Sequence, residues 1–285
     1  MMNEPRTIVA GAQTNPRLFE VEANVSKCLG NLEEAAVHGA QLVVFPECAT
    51  TGYCFDSRAE AMSVAEPVPG PSVERFLTAC RRLHVYTIVG MPERAGEKLY
   101  NSAVFLGPEG IVACYRKVHL PKLGLDRFAD HGPGPLQVYR SPVGAVGLYI
   151  CYDSAFPEAA RVMALEGAEV LVHPTNWPVG VEGTPRHIVY ARAIENVVFH
   201  VSVNRVGDER GYHFIGQSKI ISPDGEELAA AGPDREEIIY ASLALAEARS
   251  KGRMSSPGHE SNRFRDRRPE FYGAITQQPP QARPS

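Results

Sequence analysis

Three residues combine a reactive side chain with a place at the end of an apolar run: Glu47 after VVFP, Lys117 after VACYR and Cys151 after GLYI. Together they could carry out acyl transfer. A thiol becomes a nucleophile when a base takes its proton, and a carboxylate can be that base if burial raises its pKa. The tetrahedral intermediate then needs a cation or N–H donors around its oxyanion, and a lysine supplies both charge and donor. Each residue also has a plain structural reading. Cys151 could be a small buried filler, Glu47 could cap a turn, and Lys117, beside Arg116, could be a solvated cation.

The elements that would present these groups follow from local pattern. In Gly144 to Glu158, GAVGLYICYDSAFPE, the alternation of Val146, Leu148 and Ile150 predicts a strand. Pro157 and Glu158 then open a helix, since proline suits the first helical position and an acid the first turn. Cys151 therefore falls at a strand-to-helix junction, where a helix N-terminus is expected to favour thiolate. The continuous apolar run Leu42 to Phe45 suits a strand buried on both faces and delivers Glu47. Tyr100 to Leu106 and Ile111 to Arg116 read as a hairpin around Gly107-Pro108-Glu109-Gly110, and the second strand delivers Lys117. Strand ends are where open α/β sheets gather ligands.

Elsewhere the pattern predicts strands over 7–12, 85–90, 170–172, 198–203 and 238–242, and helices over 20–38, 72–83, 157–166, 184–196 and 243–250. A second hairpin joins 214–222 to 227–231 through Pro223-Asp224-Gly225. The irregular stretch that runs to Pro135 is long enough to be functional. Strands and helices alternate throughout, which gives class α/β with mixed sheets, in one domain rather than two.

Composition narrows the function classes. With 285 residues and 44% hydrophobic content the chain can bury a sizeable core. A net charge of −4 argues against nucleic acid as a partner, because phosphate binding needs basic patches. The six cysteines show no CxxC pair, so reduced thiols and a cytoplasmic location are expected. MMNEPRTIVAGAQ contains no long apolar segment, so no leader is expected, and no apolar run reaches the length of a membrane span. No zinc spacing, P-loop or dinucleotide fingerprint occurs, so no metal or organic cofactor is expected.

The motifs FPECATTGY, YRKVHLP, GLYICYDSAFPE, GAEVLVHPTNW, YARAIENVVFHVSVNRVG and FIGQSKIISPDG, in this order, resemble the carbon–nitrogen hydrolases of the nitrilase superfamily. The resemblance covers nearly the whole chain. It implies an α-β-β-α sandwich of two central mixed β-sheets flanked by helices. It also implies a Glu47, Lys117 and Cys151 triad, with Cys151 as nucleophile, Glu47 as base and a thioester intermediate. Lys117 and the Tyr152 N–H would hold the oxyanion. Tyr53, Ala155, Asn176 and Trp177 are expected to line the pocket, and no metal or cofactor takes part. His119, His131, His173 and His213 read as polar loop or wall residues.

Two departures bear on the chemistry that the resemblance implies. Many members carry a second Glu between the Lys and Cys motifs; here Asp126 occupies that place and is one methylene shorter. It is also readable as a turn-former. Nitrile-cleaving members usually have Trp and Glu after the Cys, whereas Tyr152 and Asp153 follow here, which looks like the amidase branch. The expected reaction is hydrolysis of a small amide to acid and ammonia. The alternatives are a carbamoylase, then a nitrilase, and a non-catalytic or redox-sensing relative. Where members acting on ω-amides carry an Arg, this chain has Ala155, so neutral amides are expected unless Arg186, His187 or Arg192 supplies a cation. The domain is expected over 1–250. Residues 251–276 form an extension whose Arg and aromatic residues between Ser261 and Gly273 suit a homodimer or larger oligomer. A disordered tail is expected over 277–285.

Overall fold

The computed structural model describes residues 6–277. The expected disordered tail, apart from Gln277, lies outside them. The first half runs β1 (Thr7–Gln13), α1 (Val21–Val37), β2 (Leu42–Val44), α2 (Arg58–Val64), α3 (Pro71–Leu83), β3 (Tyr86–Ala95), β4 (Lys98–Gly107) and β5 (Gly110–Arg116). The second half begins β6 (Val138–Ser141), β7 (Gly144–Leu148), α4 (Pro157–Leu165), β8 (Val170–Pro174), α5 (Val189–Asn196) and β9 (Phe199–Val203). It continues β10 (Val206–Glu209), β11 (Tyr212–Ile215), β12 (Lys219–Ile221), β13 (Glu227–Ala230), β14 (Glu237–Leu243) and α6 (Ala246–Arg249).

Two six-stranded sheets form, ordered β14-β1-β2-β3-β4-β5 and β13-β12-β9-β8-β7-β6. Each is mixed. Parallel strands β1, β2 and β3 centre the first and β7, β8 and β9 the second, with antiparallel strands outside them. On α1 the buried Val25, Cys28, Leu32 and Ala35 recur at helical spacing, and with Phe76, Leu77 and Cys80 of α3 they cover one face of the first sheet. α4 and α5 pack on the second sheet. The remaining faces meet each other: a Cβ added to Gly11 of β1 would lie 3.0 Å from Val203 Cγ2 of β9. The layers are helix, sheet, sheet, helix, an α-β-β-α sandwich. The chain divides into two compact units, one through Arg249 and one from Ser250. The second contains a two-stranded ribbon, Gly252–Ser256 with His259–Asn262.

Several elements differ from the sequence pattern. The strand expected over 214–222 is two strands, because Gly216 and Gln217 both take positive φ, 54° and 61°. β11 pairs with β10, and β12 joins the second sheet. The helix expected over 184–196 starts as a π-helical turn, Thr184–Ile188, before α5. The last helix is short because Leu243 stays in β14, paired with Thr7. α2 was not anticipated; the Ser57 side chain caps it by accepting from the Glu60 N–H. No helix among the described residues is long and apolar enough to cross a membrane.

Candidate active site

Glu47, Lys117 and Asp126 meet in one fully buried cluster. Glu47 leaves the end of β2, Lys117 follows β5, and Asp126 sits in a short 3₁₀ turn, Gly124–Arg127. Lys117 Nζ donates to Glu47 Oε1 at 2.7 Å and to Asp126 Oδ2 at 2.5 Å. Asn101, on β4, bridges the same two carboxylates, with Nδ2 at 2.7 Å from Glu47 Oε1 and from Asp126 Oδ1. The Tyr53 hydroxyl completes Asp126 at 2.8 Å. The shorter side chain thus reaches the ammonium directly. Asp126 is a partner of Lys117 and does more than form a turn.

Burial raises the Glu47 pKa, Lys117 lowers it and Asp126 raises it again; the net direction is upward. Burial works against a charged Lys117, but Asp126 and Glu47 outweigh it and hold its pKa well above normal. Among the described residues Glu47 Oε2, which is buried, has no hydrogen-bond partner, and that oxygen is open to a proton.

Cys151 starts a 3₁₀ turn, Cys151–Ala155, with φ at 44°. That left-handed conformation costs a non-glycine residue about 1–2 kcal/mol and must be held by its surroundings. Ser154 Oγ donates to the Cys151 carbonyl at 2.9 Å and His173 Nε2 lies 2.8 Å from it. Asp153, fully buried, accepts from Ile150 N at 2.9 Å, Tyr115 Oη at 2.7 Å, and His119 N and Nδ1 at 3.0 and 2.7 Å. Tyr115 and His119 flank Lys117, so one carboxylate ties the lysine segment to the cysteine turn. His119 and His173, read as wall residues, are both pinned to this turn.

The expected thiolate is not what the environment favours. Burial and the charge of Glu47 push the Cys151 thiol up to about 12, against the opposing pulls of Lys117, the Thr175 hydroxyl and the Asn176 N–H. The turn is too short to act as a helix N-terminus, and Cys151 needs a base.

Cys151 opens on a cavity of about 210 Å³. Tyr53, Tyr152, Ala155, Asn176 and Trp177 all line it, and among the described residues no charged side chain does. Arg186 and His187 are exposed, and Arg192 is spent on the Ser154 carbonyl and Glu195. Both polar atoms of the Asn176 side chain are buried and have no partner among the described residues. Sequence reading missed Asn101, Asp153 and Gly90. The YDS triplet after Cys151 was a signal for Asp153; nothing local marks the other two.

A thiol, a carboxylate and an ammonium brought to strand ends beside a cavity suit a hydrolase that works by acyl transfer. The chain belongs to the carbon–nitrogen hydrolase family, whose model matches residues 8–253. A protein from Pyrococcus abyssi named nitrilase is 40% identical over 269 residues, covering 93% of this chain and 98% of its own. A human omega-amidase is 31% identical over 271 residues, covering 90% and 93%. A carbon–nitrogen hydrolase from Helicobacter pylori superposes with a TM-score of 0.84 at 26% identity, over 96% of this chain and 99% of that one. The protein is a hydrolase of the amidase type.

The site makes Gly90 of β3 a sensitive position. An added Cβ would fall 2.5 Å from Pro46 O, 2.6 Å from Glu47 Cα and 2.7 Å from Cys48 N, all backbone atoms with little room to yield. Gly90→Ala is expected to displace Glu47 and lower kcat/KM by about a hundredfold, the effect of misplacing a reacting group by about 1 Å. Circular dichroism should show the fold retained. A loss below about threefold would show that Glu47 does not depend on this contact.

Proposed function

We propose that the protein hydrolyses a small neutral amide to its acid and ammonia through a thioester on Cys151. The observation that carries this reading is the free Glu47 Oε2 in a buried cluster beside a thiol that burial keeps protonated. Glu47 takes the Cys151 proton as sulfur attacks the carbonyl carbon. Transfer from a thiol at about 12 to a carboxylate is uphill, so it is coupled to C–S bond formation, as in general-base catalysis. Two of the three Lys117 N–H bonds go to Glu47 and Asp126; the third, with the Tyr152 N–H, holds the oxyanion. Collapse breaks the C–N bond, and protonated Glu47 gives its proton to the departing amine. Glu47 then takes a proton from water as its oxygen attacks the thioester carbon; collapse breaks the C–S bond, the acid leaves, and Glu47 returns the proton to the Cys151 sulfur. Asp126 and Asn101 orient Lys117 and Glu47.

The uncharged lining sets the substrate class. Among the described residues no charged side chain lines the cavity beyond the Lys117 cluster, so a carboxylate at the far end of the substrate would lose its water without gaining a partner. A second reading, hydrolysis of a ureido group, is favoured by Asn176, whose free carbonyl and amide could pair with a ureido N–H and C=O. Ammonia release from amides, carbamoyl compounds and nitriles separates the two. Among amides, butyramide is expected to exceed succinamate in kcat/KM by about tenfold or more, the equivalent of one charge-assisted hydrogen bond that the cavity does not offer. A tenfold preference for succinamate would show that a cation other than Lys117 reaches the substrate's carboxylate.

We also propose that the protein works as a homodimer or larger oligomer through its C-terminal segment. Phe271 is 72% exposed and Ile275 is 59% exposed, while Arg268 lies over the Phe271 ring at 5.0 Å. Arg and aromatic side chains are what interfaces concentrate. Light scattering at micromolar concentration should give at least twice the monomer mass; the monomer mass would refute the assembly.

A further inference from the structure

Beneath the cysteine turn lies a set of polar side chains that the mechanism does not use. Tyr149 follows β7, His173 is on β8, and His200 and Ser202 are on β9, in neighbouring parallel strands. All four are fully buried. On β9, Val203 faces the first sheet, so His200 and Ser202, at the other parity, face away from it. The contacts form one line. Tyr149 Oη lies 2.6 Å from His200 Nε2, and His200 Nδ1 lies 3.0 Å from Ser202 Oγ. Ser202 Oγ lies 3.2 Å from His173 Nδ1, and His173 Nε2 lies 2.8 Å from the Cys151 carbonyl oxygen.

The chemistry of the last acceptor determines every proton in the line. A carbonyl oxygen only accepts, so His173 Nε2 carries a proton and donates. Burial lowers the His173 pKa to about 4; Asp153 pulls it up, and Lys117 and Arg192 push it down, so the ring is neutral near pH 7. Burial, His173 and Arg192 likewise hold His200 well below the usual imidazole range. A neutral His173 with its proton on Nε2 must accept at Nδ1, so Ser202 donates to it. Ser202, its one proton used, accepts from His200 Nδ1–H, and His200 Nε2 accepts from the Tyr149 hydroxyl. The reverse sense would leave lone pairs of His173 and Ser202 facing each other in the core.

We propose that Tyr149, His200, Ser202 and His173 are a one-way hydrogen-bond chain that orients and polarises the Cys151–Tyr152 peptide, making its N–H a stronger oxyanion donor. The proposal rests on the reading of the Tyr152 N–H as one side of the oxyanion site. In a trans peptide the C=O and N–H point in opposite directions, so a donor fixed on the Cys151 oxygen also fixes the direction of the Tyr152 N–H. Hydrogen bonds in series polarise one another, and a peptide whose oxygen accepts strongly donates more strongly through its nitrogen. The same bond holds Cys151 in its left-handed conformation. His173 and its partners are positioning residues: they touch the nucleophile's peptide and leave the substrate to others. Because the oxyanion exists only after attack, the chain acts on kcat and leaves substrate binding alone.

Two measurements test this on the full-length enzyme with butyramide. Two-bond ¹H–¹⁵N spectra of histidine-labelled protein should show His173 protonated on Nε2 and His200 on Nδ1, both neutral. His173→Leu should lower kcat by about tenfold, the worth of one lost hydrogen bond, with KM changed by less than about twofold. His173→Gln, which keeps a donor near the Nε2 position, should recover most of that loss. Ser202→Ala cuts the line by removing one oxygen and should also lower kcat, which keeps the test available if His173→Leu fails to fold. The opposite tautomer on either ring, or wild-type kcat in both His173→Leu and Ser202→Ala, would overturn the chain. If Cys151→Ala is dead while those variants are normal, this inference alone fails. If Cys151→Ala is active, the mechanism beneath it fails.

Discussion

Lys117 is a fully buried ammonium that two carboxylates share, and the arrangement of the site follows from that constraint. Taking a lysine out of water costs several kcal/mol, and removing one partner from a buried ion pair costs about 3–5 kcal/mol because a charge is left unpaired. The three side chains must therefore arrive together, from β2, from β5 and from the loop after it. Asn101 donates to Glu47 Oε1 and to Asp126 Oδ1, so the two carboxylates are bridged and held apart. Two negative groups around one positive group also leave an excess of negative charge beside Cys151. Burial raises both Glu47 and the thiol, and Asp126 adds to the first and Glu47 to the second against the pull of Lys117.

Cys151 is held by a different device. A left-handed Cys151 is unfavourable by itself, and Asp153, Ser154 and His173 hold it from three directions. Asp153 also binds the residues two before and two after Lys117, so the cation and the thiol share an anchor. The cavity beyond them is lined mostly by apolar and aromatic side chains, and no charged side chain among the described residues lines it. Among the described residues that line it, Asn176 is the one whose side-chain amide is buried and unpaired.

Much of this is legible in the chain. Glu47, Lys117 and Cys151 each follow an apolar run whose strand character depends on local pattern alone, so their place at strand ends can be read directly. Asp126 is readable only by resemblance, because its loop has no periodicity. Asn101 and Gly90 carry no local mark: one matters because β4 lies beside two loops, the other because β3 backs onto Pro46 and Glu47. The thiolate expectation fails for a physical reason. Proline and an acid do open α4, but Cys151 enters a five-residue turn before it, where burial and Glu47 dominate. The strand expected over 214–222 breaks where Gln217 adopts a positive φ that its residue type does not advertise. The cap of α2, Ser57 with Glu60 three residues on, was present in the sequence but lies in a loop too polar to show a helical face.

The most direct test of the account is whether an acyl group rides on Cys151 during turnover. The enzyme is mixed with butyramide, quenched in acid in the steady state, and its mass and peptides are measured. The account predicts one butyryl group per chain on the peptide containing Cys151, lost on treatment with hydroxylamine and absent from Cys151→Ala, which should not turn over. Ammonia release by Cys151→Ala, or an acyl group found on another residue, would contradict it.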